Sequence, residues 1–175
     1  MTDSPIVTFY RGLGRDQSDR SLDEILQWRD DALEQVHDFI QWLFPLDEPS
    51  GANWRAPILT AADIHTFRSD AALRASVRRS LVRMLAFYGL RLLDHGEGPM
   101  VERADNWAGR ASAWLTPHTH NHLRLTRMMK SLALVGLPAL ARALRDALLR
   151  EAELARPGLI NATTLQYWRA ARSQK

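Results

Sequence analysis

The sequence predicts an all-α fold, a single-domain orthogonal bundle of about seven or eight helices. Three observations lead there. Apolar residues recur at three- and four-residue spacing, as in Leu73, Val77, Leu81, Met84, Leu85, Tyr88 and Leu92. Helix start and stop signals punctuate the chain throughout. No alternating strand of useful length, internal repeat or low-complexity tract interrupts this pattern. At 175 residues the chain has the length of one domain able to bury a core, and residues 1–175 are read as that domain.

The elements follow in order. Ser21-Leu22-Asp23-Glu24 has the S-x-x-E form of a capping box and opens a short helix ending near Trp28. Asp30 or Asp31 caps the next helix, which is expected to run unbroken to Phe44 and stop at Pro45. Residues 45–59 carry three prolines and a glycine and read as an ordered surface loop. Thr60 restarts a helix with Asp63 in its first turn. Asp70 caps a long helix expected to reach about Leu93, and residues 94–99 form a turn. A short helix around Ala104–Leu115 places Trp107 and Trp114 on one face. Pro117 opens a helix ending at Gly136. Pro138 takes a first helical position and opens Ala139–Ala155, which Pro157-Gly158 ends. Asn161 or Thr163 caps a last short helix with Tyr167 and Trp168.

Composition narrows the function classes. The absence of cysteine removes disulfides, thiolate chemistry and Cys-based zinc sites. No apolar run of about 18 or more residues spans a membrane. The N-terminus lacks the basic start and long apolar core of a signal peptide, so a cytoplasmic protein is expected. Charge is uneven. Residues 1–70 hold 6 Arg against 13 Asp and Glu, whereas residues 71–175 hold 17 Arg or Lys against 7 Asp or Glu. Lys130 and Lys175 are the two lysines. A basic half attracts nucleic acid or acidic lipid, but pairing with the chain's own acids is the favoured reading. The run Arg74, Arg78, Arg79, Arg83 reads as a solvated helix face.

Two stretches hold the candidate functional residues. In Leu33–Pro45 the core stripe is Leu33, Val36, Ile40, Leu43 and Phe44. His37 lies on its edge, Gln41 follows one turn later, and Trp42 points to the opposite side. In His118–Leu132 the stripe is Leu125, Met128, Met129 and Leu132, headed by Asn121. His120, Arg124 and Arg127 form a second stripe with Ser131 beyond. Two forked guanidiniums and an imidazole on one face suit a carboxylate or phosphate; pairing with the chain's own acids competes with that reading. His118 and His122 are one turn apart but lack a third ligand, so no metal site is assigned. No P-loop, GxGxxG, GxSxG or kinase signature occurs, and no cofactor is expected.

These residues carry a family resemblance. Phe9-Tyr10 with Gly12, Asp16 and Arg20, then Leu22–Leu26, resemble an FYxG…D…R entry followed by an LxEIL helix. His37–Pro45 resembles an HDYIQWLFP core, with Phe39 where Tyr is usual. Ser50, Asn53, Ala56-Pro57 and Leu59-Thr60 fit the loop that follows, and Phe87-Tyr88-Gly89 fits an FYG. His120–Arg127 resembles HNYLRITR, with His122 where Tyr is usual. Together they span roughly residues 9–137 and resemble the opioid growth factor receptor conserved domain in a single-domain, bacterial-style form, with the helices of 138–172 packed on it. The resemblance implies a helical domain that, in animal members, belongs to a receptor for Met-enkephalin associated with the nuclear envelope and growth inhibition. Those members carry a repeat-rich tail, which this chain is expected to lack.

The expected function is that of a non-catalytic binding module for a peptide or an anionic small molecule. The expected ligand-binding residues are His37, Gln41, Trp42, His120, Asn121, Arg124 and Arg127, in a seam between the two motif helices. Two alternatives stand beside it: an enzyme using His37 or His120 as acid or base, and a nucleic-acid binder working through the Arg-rich second half.

Overall fold

A computed structural model describes residues 3–96 and 98–171; Glu97 of the expected turn and Lys175 lie outside them. The described residues form ten α-helices, one 3-10 turn and a two-stranded antiparallel sheet. The fold is therefore mixed α/β and not the purely helical bundle of seven or eight helices that the apolar spacing predicts. The chain divides into two compact units, residues 1–83 and 84–175.

In the first unit α1 (Pro5–Tyr10) begins at Ser4, whose hydroxyl caps Val7 N–H, with Pro5 where its missing N–H costs nothing. The sequence gives no expectation of a helix here. α2 (Leu22–Leu26) carries the expected capping box, Ser21 and Glu24 bonding reciprocally. α3 (Asp30–Gln35) starts from Arg29, which makes no side-chain cap, with Asp30 and Asp31 in the first turn. The expected continuous helix to Phe44 is broken. Val36 is extended, residues 36–39 are not helical, and α4 (Ile40–Leu43) is a separate single turn. Tertiary bonds explain the break: the Asp38 carboxylate is drawn to Arg20, and Asn53 Nδ2 donates to the Asp38 carbonyl. These bonds hold the backbone where helical periodicity alone would have continued.

The loop after Pro45 is closed at its base by Leu59 N–H on Leu46 O at 2.8 Å. α5 (Ala61–Ser69) has a second capping box, Thr60 with Asp63, and Asp70 caps α6 (Ala71–Phe87) through the N–H groups of Ala72 and Leu73. The first unit's core is a chain of edge-to-face rings: Trp42, Phe9, Tyr10 and Phe67, with Trp28 on Phe39. The arginines of α6 are less solvated than expected. Arg79 pairs with Asp23, Arg83 holds Asp30 and the Trp28 carbonyl, and Arg74 donates to the carbonyl of Phe67.

The division between the units falls within α6, which stops at Phe87 and not near Leu93. Gly89 sits at φ 77 and donates to Ala86 O, the left-handed stop that only glycine adopts without strain. Leu92, which fits the helical stripe by spacing, therefore lies on a strand. β1 (Leu90–His95) pairs with β2 (Gly98–Arg103), from Leu90 opposite Arg103 to His95 opposite Gly98. The hairpin that replaces the expected turn is fixed by Ala104 N–H on Gly89 O and by Arg91 on Glu102 across the strands. A Cβ at Gly89 would lie 3.0 Å from Trp107 Cα and 3.1 Å from Arg110 Cβ. Gly89→Ala is thus expected to destabilise the protein by about 1–3 kcal/mol, read as a lower urea midpoint.

α7 (Trp107–Arg110) is one turn, continued by the 3-10 turn Ala111–Ala113 in place of the longer helix expected. α8 (Asn121–Leu134) starts four residues after Pro117. α9 (Pro138–Leu154) opens at its proline, and α10 (Ala162–Ala170) is capped by Asn161. β2 packs on α9, where Arg103 grips buried Glu151 with two bonds and Arg150 donates to the Val101 carbonyl.

Candidate functional site

The sequence-predicted residues fall into both units. His37, Gln41 and Trp42 belong to the first; His120, Asn121, Arg124 and Arg127 belong to the second. His37 and His120 are exposed and Arg127 is half-buried, whereas Gln41, Trp42, Asn121 and Arg124 are buried.

In the first unit the motif residues organise around an ion network of Asp16, Arg20 and Asp38. Asp16 is buried and accepts from the Ser18 and Arg20 N–H groups through Oδ1, and from Arg20 Nε at 2.7 Å through Oδ2. Arg20 then reaches Asp38 at 2.9 Å and lies over the Trp28 ring, 5.2 Å from its centroid. Asp38 also accepts from Ser18 Oγ and Gln17 Nε2. Burial alone would raise the Asp38 pKa, but these bonds, led by Arg20, outweigh it and hold the carboxyl below its ordinary value. Tyr10 donates its hydroxyl to the Leu43 carbonyl at the end of α4, and its burial pushes its pKa above the ordinary tyrosine value. D-x-x-x-R was visible in sequence; its partner Asp38 was not, because only the fold brings positions 20 and 38 together.

Gln41 and Trp42 differ from these neighbours. Gln41 is 3% and Trp42 5% exposed, yet Gln41 Oε1 and Trp42 Nε1 are buried and have no hydrogen-bond partner. The helix that carries them is enclosed on all sides, since Ile40, Gln41, Trp42 and Leu43 are all buried.

In the second unit Asn121 is a hub. Its Oδ1 accepts from Tyr88 OH at 3.1 Å and Arg124 Nη1 at 3.3 Å, and its Nδ2 donates to the Ala113 carbonyl at 2.9 Å. Tyr88 follows the stripe on α6, and its carbonyl accepts from Trp114 Nε1. Arg124 is thus tied into the interior, so Arg124→Ala bears on folding before it bears on binding. His122, predicted to lie beside His118, is buried. Its Nε2 lies 2.7 Å from the Trp114 carbonyl, its Nδ1 3.5 Å from Thr164 Oγ1, and its ring meets Trp168 edge to face. The carbonyl fixes Nε2 as the protonated nitrogen. Among the described residues no group of three or more His, Asp and Glu side chains converges as a metal would require.

Burial lowers the His122 pKa, with nearby His118 adding to the shift and the Trp114 bond opposing it. The folded state therefore refuses a proton that the unfolded chain takes up. The stability this histidine supports is complete above the unfolded value, about 6.5, and falls as pH drops below it. Asp38 has the same sign at lower pH: its contribution is present above the ordinary carboxylate value and is lost as pH falls through its depressed one. Thermal melts on acidification are expected to show two stages of loss. In His122→Gln the first stage should vanish while the second remains.

Comparison with known proteins bears on the family of this chain. The family model of the opioid growth factor receptor (OGFr) conserved region matches residues 3–175. The chain is 43% identical to the human opioid growth factor receptor over 139 residues, covering 77% of this chain and 20% of that protein. It is 45% identical to the rat receptor over 119 residues, covering 66% and 20%. It is 38% identical to mouse opioid growth factor receptor-like protein 1 over 137 residues, covering 75% and 28%. The matched region thus spans between a fifth and three tenths of these relatives' own length. No solved structure matches significantly. Family match and identities agree with the Phe9–Arg127 motifs, and the chain belongs to the opioid growth factor receptor conserved-region family.

Proposed function

We propose that this chain is a non-catalytic ligand-binding module of receptor type whose ligand is a peptide. The relatives' name, opioid growth factor receptor, makes Met-enkephalin the first peptide to offer it. The supporting observation is the state of the buried titratable groups. Asp16, Asp63, Glu151, His122, Arg124, Tyr10 and Tyr88 are each engaged in a bond that caps a helix, pairs a charge or ties two elements. An acid–base catalyst needs such a group held in reach of a substrate with its proton free to move. A binding module needs only shape and unsatisfied polar atoms.

Isothermal titration of the chain with Met-enkephalin tests this reading. Saturable one-to-one binding is expected, with a melting temperature that rises with peptide concentration. Saturation to 100 times Kd corresponds to about 2.7 kcal/mol of added stability. A flat titration with an unmoved melting temperature overturns it.

A further inference from the structure

We infer that the outer edge of β1 takes an extended peptide as a third strand, with the N–H and C=O of Leu92 bonding its backbone. This rests on the peptide-receptor reading above and gives that reading a site. The Ala104 N–H on Gly89 O, at 2.8 Å, fixes the phase of the hairpin ladder. In an antiparallel pair alternate residues point both backbone groups at the partner strand. Arg91, Leu93 and His95 therefore face β2, and Leu90, Leu92 and Asp94 turn theirs outward. On β2 the same phase turns the Val101 carbonyl outward, and there Arg150 of α9 donates to it at 2.8 Å. One edge of the hairpin is thus covered by α9. On the other edge Leu90 and Leu92 have no further backbone or side-chain partner among the described residues. Leu92 is half-buried and Arg91 beside it is exposed, so this side of the strand meets solvent.

An open strand edge is a template for another strand, because it presents N–H and C=O groups in the order that an extended chain complements. Size decides which strand. Six residues make an edge about 20 Å long and one strand spacing, about 5 Å, deep. That is far below the roughly 800 Å² per partner of a stable interface, so a second folded copy gains little there. A flexible peptide gains the same bonds and also lays side chains on both faces of the sheet. Leu92 lies on the face of buried Val101, and Leu93 lies on the opposite face beside Met100, itself 40% exposed. The peptide is therefore apolar at two adjacent positions, one against each leucine. The charge of Arg91 is already matched by Glu102 and Asp105, so the edge makes no call for an anionic group.

Amide hydrogen exchange in 15N-labelled protein tests this. In dilute free protein the Leu92 N–H should exchange fast and the Leu93 N–H, turned to Met100, slowly. Met-enkephalin should slow Leu92 by about tenfold or more, and Met-enkephalin N-methylated at its internal amides should not. Leu92→Pro should weaken Met-enkephalin binding by about tenfold or more and leave Leu93 protected, since proline is tolerated where the N–H points out of the ladder. A Leu92 N–H already slow in dilute free protein overturns the open edge. Slowing that follows protein concentration without peptide places a second copy there and overturns the peptide assignment. Met-enkephalin binding with Leu92 exchange unchanged, or equal affinity for the N-methylated peptide, overturns this site and leaves the receptor reading standing. The capped peptide acetyl-Thr-Val-Thr-Val-amide serves as a bare strand. Protection of Leu92 by it without Met-enkephalin binding upholds the edge and removes the receptor reading; no protection by either peptide overturns the edge.

Discussion

Asn121→Ala is expected to lower unfolding stability by about 3–5 kcal/mol, among the largest single effects in this chain. The carboxamide is fully buried and serves three partners: the Tyr88 hydroxyl, the Ala113 carbonyl and the Arg124 guanidinium. Alanine leaves a buried hydroxyl, a carbonyl and a 95% buried cation each short of a bond. For a domain of total stability about 5–15 kcal/mol, that is at least about a fifth of the whole. Urea unfolding followed by circular dichroism reads it directly. A change below about 1 kcal/mol would mean that the network is dispensable and that Asn121 belongs to something other than folding. Leu123→Ala, two residues later and strongly exposed, serves as the control and should fall within about 0.5 kcal/mol of the parent.

Asp16→Asn is the second large effect, expected at about 2–4 kcal/mol. The carboxylate side chain is fully shielded and binds Arg20, itself only 17% exposed. It also accepts two backbone N–H groups that shape residues 16–20, where Asp19 takes a positive φ of 59°. Asparagine keeps an acceptor but removes the charge and turns an amide toward the guanidinium. Arg20 retains Asp38, which moderates the loss. Asp38→Asn should cost less, about 1 kcal/mol or below, because that carboxylate is partly solvated. If the two substitutions cost the same, the assignment of Asp16 as the buried anchor of this network fails.

Local codes carried much of the fold. Ser21 with Glu24, Thr60 with Asp63, Asp70, Pro138 and Asn161 each start a helix where the sequence places it. A cap acts within four residues and needs no partner from elsewhere. Apolar stripes were equally legible: Leu73, Val77, Leu81, Met84, Leu85 and Tyr88 are all buried, as are Leu125, Met128, Met129 and Leu132. The hairpin was not legible, because Leu90-Arg91-Leu92-Leu93 satisfies a helical spacing as well as a strand. Gly89 was the local signal against it, and its weight becomes plain only with Trp107 packed against its Cα.

The candidate residues divide in the same way. Sequence alone singled out Gln41, Trp42, Asn121, Arg124 and Arg127 as polar or aromatic groups on helix faces. It also established the family, since motif order is a one-dimensional property. Only the tertiary structure decided that Asn121 and Arg124 are interior ties, that His37 and His120 face outward, and that Gln41 and Trp42 are buried with polar atoms unmatched. The physical reason is that capping and periodicity act over a few residues, whereas burial and hydrogen-bond satisfaction depend on groups such as Arg20 and Asp38, or Tyr88 and Asn121, that only the folded chain brings together.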